Sequence, residues 1–200
     1  MVLGETVYTP PAPQYPPRKR WTRDECAAYE QSGLWESQHF ELIEGELINK
    51  TGKKQPHVFG VRRAARSLRQ VFGWDSVFTE APINVAPQDR ATNEREPDLY
   101  VLKAAPIEFG DLAPRPSDLA LVVEIADTTL NFDLTTKAAL YARAGIPEYW
   151  VLDLNGRRLI VHRDPSSGVY KSVVAYSDQE RVAPLSAPGR ELLVADLLAA

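Results

Sequence analysis

Glu124 stands inside the apolar run Leu119–Ala126, where a carboxylate is costly to bury unless a charge or a metal compensates it. A second carboxylate, Asp98, opens the preceding apolar stretch. Adjacent strands lie about 4.8 Å apart, so both side chains could reach one cation. Two carboxylates with an open coordination sphere suit Mg²⁺, which prefers oxygen ligands and keeps waters for a phosphate to replace. Asp133, Lys137 and Tyr141 follow in steps of four on one helix face, and packing against the Glu124 strand could turn Lys137 toward the carboxylates. Structural readings stand beside these. Asp133 and Lys137 can form an exposed ion pair, Tyr141 can be a core residue, Glu124 can be neutralised by an arginine, and Asp98 after Pro97 can be a turn residue.

Positioning these groups requires a definite set of elements. Thr22 with Glu25 three residues on forms a capping box that opens a short helix, expected to bury Ala28 and Tyr29. Residues 40–48 read as two short strands around Glu44-Gly45. Residues 57–72 carry Val58, Val61, Ala65, Leu68 and Phe72 at helical spacing, with Gly73 as the stop. Strands are expected at 77–85 and 97–102, separated by a polar loop over 88–95. Residues 119–126 read as a strand buried on both faces, and 132–144 as a helix stopped by Gly145 and Pro147. Asn155-Gly156 joins strands at 149–154 and 157–163. A strand at 169–175 and a closing helix at 191–198 complete a mixed α/β sheet.

The chain has 200 residues, 44% apolar and 25% charged, a prior for one ordinary globular domain. Residues 1–20, dense in proline, read as a flexible tail, leaving 21–200 as the domain. The longest apolar runs fall far short of the ~20 residues a membrane span needs. No secretory signal is visible and a cytoplasmic site is expected. One cysteine and three histidines argue against disulfide scaffolds and structural zinc. The net charge of -4 hides an asymmetry. Lys50, Lys53, Lys54, Arg62, Arg63, Arg66 and Arg69 fall in a stretch with no acidic residue, a backbone-binding surface or simply a solvated face. A homodimer formed through this stretch is a further reading.

The strings FELIEGEL (Phe40–Leu47), PDL (Pro97–Leu99), LVVEI (Leu121–Ile125) and LYARAGIPEYW (Leu140–Trp150), with Asp133 and Lys137, resemble the Uma family of restriction-endonuclease-like proteins, a large bacterial group. The resemblance implies a restriction-endonuclease-like mixed β-sheet flanked by helices, of the PD-(D/E)XK nuclease superfamily, and a metal-dependent endonuclease. By that resemblance Asp98 and Glu124 are the metal ligands, for Mg²⁺ or Mn²⁺, and Lys137 is a displaced motif lysine, since Ala126 stands where the motif has lysine. Glu41 or Glu44 matches an additional acidic position. Glu41 is preferred, because alternation sets it opposite Phe40 and Leu42. His57 resembles a histidine that supports the site or caps the helix, with Asp133 and Tyr141 also in supporting roles. Lys53, Lys54, Arg62, Arg66 and Arg69 would contact the backbone of nucleic acid, DNA ahead of RNA. A scaffold that binds nucleic acid or protein without turnover is the alternative.

Overall fold

The computed structural model describes residues 18–33, 40–49, 54–104 and 113–198. The proline-rich tail up to residue 17, Lys50 and Lys53 lie outside them. Six strands form the central sheet in the order β3-β4-β5-β6-β7-β8: β3 (Val77–Thr79), β4 (Leu99–Leu102), β5 (Leu119–Ala126), β6 (Glu148–Asp153), β7 (Arg158–Ser166) and β8 (Val169–Ser177). Only β5 and β6 run parallel. A parallel pair needs a crossover, and the helical segment over 130–143 supplies it. The result is the mixed sheet flanked by helices that the sequence predicts. No described helix is long and apolar enough to cross a membrane.

Alternation along β5 sorts its side chains between two layers. Leu121, Val123 and Ile125 pack with Val61, Ala65 and Leu68 of α2 (Gln55–Phe72). Val122 and Ala126 pack with Ala138, Tyr141 and Ala142 of the crossover helix. Glu124 shares the second parity and so faces the crossover helix. Gly60 lets α2 approach closely: a Cβ there would lie 2.8 Å from Ile125 Cγ2. Outside the sheet, β1 (Phe40–Ile43) and β2 (Glu46–Asn49) form the expected antiparallel hairpin.

Four expectations need correction. In α1 (Arg23–Gln31) the capping box is present, but Cys26 is the buried residue. Tyr29 is exposed and meets Trp21 edge-on, ring centroids 5.1 Å apart. The strand expected over 77–85 ends at Thr79 because Glu80 turns into the left-handed region (φ 52°) and Pro82 has no amide to donate. The crossover helix contains a π turn, Asp133–Lys137. The closing segment is not one helix: β10 (Leu192–Leu193) pairs with β9 (Arg181–Val182) before a single turn, Val194–Leu197, so strand pairing overrides helical preference.

Candidate active site

Glu124 is nearly inaccessible, and its carboxylate is met by three donors. Arg95 Nη2 donates to Oε1 at 2.8 Å and the Tyr141 hydroxyl donates to the same oxygen at 2.8 Å. Lys137 Nζ lies 2.9 Å from Oε2. Burial opposes ionisation, but Lys137 and Arg95 outweigh it and hold the carboxyl below the usual range. A carboxylate has about four acceptor directions, so one remains for a further cation. Arg95 is itself fully buried, and its Nη1 lies 2.5 Å from Glu41 Oε1. Burial works against this guanidinium, yet Tyr141, Glu41 and Glu124 raise its pKa well above the ordinary value.

The π turn presents Asp133 and Lys137 together. The Ala138 amide reaches back five residues to the Asp133 carbonyl, a widened turn of the kind frequent at functional sites. Lys137 Nζ is 2.7 Å from Asp133 Oδ1, and the Thr129 hydroxyl donates to Oδ2 at 2.6 Å. Burial alone would lower the Lys137 pKa, but Glu124 and Asp133 bring it up to about 12. At neutral pH Lys137 is therefore a cation and donor, not a base. Burial pushes the Asp133 carboxyl up from 3.8 to about 6 despite Lys137.

A raised carboxyl pKa means that the fold favours the protonated acid. The contribution of Asp133 to stability is complete below its ordinary pKa and is lost as pH rises through about 6. Asp133→Asn mimics the protonated form and removes that loss. Urea unfolding from about pH 4 to pH 7 should show the variant gaining stability relative to the native protein across this window. A constant difference would contradict the assignment.

Asp98 sits one residue before β4. Its Oδ2 accepts the Ile125 amide at 2.7 Å, and its Oδ1 lies 3.0 Å from His57 Nε2. His57 Nδ1 faces the Ile125 carbonyl at 3.1 Å. A carbonyl can only accept, so Nδ1 carries the proton. A neutral ring then points its Nε2 lone pair at Asp98, an arrangement that a shared cation would complete, whereas a protonated ring pairs with Asp98 directly. Glu80 joins them: ligand atoms of His57, Glu80 and Asp98 lie within 4.8 Å of one another. The left-handed backbone of Glu80, whose amide donates to the Asp98 carbonyl at 3.1 Å, brings it there.

Glu41, Lys54, His57, Asp98, Glu124 and Lys137 line one cavity of about 370 Å³, together with Glu80 and Thr129. Asp133 and Tyr141 are buried behind Lys137 and Glu124. Glu44 is elsewhere, at the β1–β2 turn, paired with Arg143. Arg62, Arg66 and Arg69 line a separate groove of about 700 Å³ that meets the cavity at Glu80. Sequence reasoning missed two residues. Arg95 was hidden in a polar loop, although a buried Glu124 demands a cation. Glu80 falls in the middle of the expected 77–85 strand, where alternation cannot signal a left-handed turn.

A solved structure described as "a putative nuclease belonging to DUF820", from Anabaena variabilis, is similar at 18% identity and a TM-score of 0.62, over 79% of this chain and 88% of that one. At that identity the likeness concerns the fold. Comparison with curated proteins gives no match. The family model described as "Putative restriction endonuclease" matches residues 26–195. Spanning the sheet, both flanking helical layers and every described residue of the cavity, that match makes this chain a member of the Uma2 family.

Proposed function

We propose that this protein is a metal-dependent nuclease of the PD-(D/E)XK type that hydrolyses phosphodiester bonds, in DNA ahead of RNA. The observation that carries this reading is the convergence of Glu41, Asp98, Glu124, Lys137 and His57 on one cavity. The donor set fits a divalent cation: Asp98 with His57 and Glu80, and Glu124 through its remaining acceptor direction. A His nitrogen among oxygen ligands favours Mn²⁺ alongside Mg²⁺. When bound, such an ion supplies Lewis-acid stabilisation of the phosphate and a more acidic bound water.

The chain's own groups do the rest. Arg95 and Tyr141 fix the Glu124 carboxylate in one orientation, so the site needs little reorganisation. Lys137 is charged, held between Glu124 and Asp133, and can donate to the attacking water and to the negative charge that develops on phosphorus oxygens. The first turn of α2, with Lys54 and His57, borders the cavity and offers the positive end of an 18-residue helix to a phosphate.

A second reading, nucleic-acid binding without turnover, is favoured by one observation: Glu124 is already neutralised by Arg95 and Lys137 and needs no metal for stability. Incubation with labelled single- and double-stranded DNA and RNA, with Mg²⁺, Mn²⁺ or EDTA, separates the two. The nuclease reading expects metal-dependent cutting that an Asp98→Asn variant lacks. Cutting that survives in EDTA, or none with any substrate and ion, would overturn it.

A further inference from the structure

We infer that the groove between α2 and the edge strand β3 holds a single-stranded segment of nucleic acid, with Trp74 as a stacking platform for an unpaired base. The inference deepens the nuclease reading and takes nucleic acid as the ligand from it. Trp74 is 74% exposed, unusual for the largest apolar side chain. The Arg69 guanidinium lies over its ring, 4.5 Å from the centroid. One indole face is thereby supported by a cation, and at this exposure the other is open. Arg69 is in turn held by the ring, and both side chains line the groove.

The groove's chemistry matches a polyanion. Arg62, Arg66 and Arg69 succeed one another along α2 at rises of about 6 and 4.5 Å, over a floor that includes Val58 and Ala65. Helix α2 carries no acidic residue. The Glu80 carboxylate stands where the groove meets the catalytic cavity, so a strand lying on the arginines leads to Asp98. An indole face can be used only by a base whose own face is uncovered, and bases inside a duplex are stacked on both sides. Aromatic platforms beside cationic tracks are the general means of holding single strands. The groove therefore selects an overhang, a flap or a locally opened strand over an intact duplex.

The test measures binding by fluorescence anisotropy in EDTA, where no metal-dependent turnover occurs, with a labelled oligothymidylate and a blunt duplex of equal length. Trp74→Ala should weaken single-strand binding by roughly 5- to 100-fold, the range for loss of one stacked base, and Trp74→Phe should restore most of it. Blunt-duplex binding should change less than about threefold. Arg66→Ala should flatten the log–log salt dependence by about one. Single-strand binding unaltered in Trp74→Ala, or lost equally for the duplex, would overturn the inference. So would light scattering that shows a native dimer dissociated by Trp74→Ala, because a second copy would then occupy the groove. Normal duplex cutting by Trp74→Ala with unaltered strand binding would sink this inference and leave the nuclease reading intact. Trp74-dependent binding with no cutting would do the reverse.

Discussion

Replacing Arg95 by methionine should lower the unfolding free energy by about 3–5 kcal/mol, the usual consequence of removing one member of a buried ion pair. The guanidinium is fully buried and touches Glu124 at 2.8 Å and Glu41 at 2.5 Å, while Tyr141 accepts from its Nη2 at 2.9 Å. Methionine fills much of the volume and supplies none of the charge. Lys137 still faces Glu124, but Glu41 loses the cation at 2.5 Å. Domains of ordinary stability have about 5–15 kcal/mol in total, so the midpoint should fall by roughly 10 °C at this chain length. Urea denaturation of Arg95→Met, of Glu41→Gln and of the double variant forms a cycle. The double variant should recover part of the loss, because the orphaned carboxylate is then neutral. A single-variant loss under about 1 kcal/mol would mean that water reaches and solvates this cluster.

Legibility in the sequence followed the range of the forces involved. Helix α2 is readable because a face buried against one partner leaves a periodic signature within a few residues, and strand β5 because burial on both faces leaves a near-continuous apolar run. Asp98, Glu124 and Lys137 stood out because charge in an apolar strand, or beside one, requires compensation, and the cavity they line contains all three. Arg95 and Glu80 were not readable as site residues, because each is placed by backbone contacts distant in sequence. Residue 95 bridges to Ile83 in an isolated β-bridge, and the Glu80 amide bonds to the Asp98 carbonyl. Glu44 shows the converse. It shares a motif string with Glu41, yet the left-handed turn at Glu44-Gly45 sends it to Arg143. The π turn was equally hidden, since steps of four describe an α-helix and a π turn almost alike over five residues.

Lys137→Met should reduce kcat about 10²- to 10³-fold, the scale for loss of one preorganised donor to developing charge, while the protein stays folded and still binds metal. The fold tolerates the change for a reason visible in the pairings. Glu124 keeps Arg95 and the Tyr141 hydroxyl. Asp133, already pushed up to about 6 by burial, can take up a proton when its lysine is gone. Removing a positive charge 2.9 Å from Glu124 also removes a repulsion that any cation entering the site must overcome. Calorimetric Mn²⁺ affinity should therefore hold or rise as kcat falls, a split that simple unfolding cannot produce. Lys137→Arg should rescue only partly, since a planar fork differs from an ammonium in reach and geometry. With the lysine pKa at about 12, the native pH–rate profile between about pH 6 and 9 should contain no limb that the substitution abolishes. A kcat within about threefold of native, or loss of Mn²⁺ binding in a folded Lys137→Met protein, would remove Lys137 from the chemistry and make it a structural partner of Glu124.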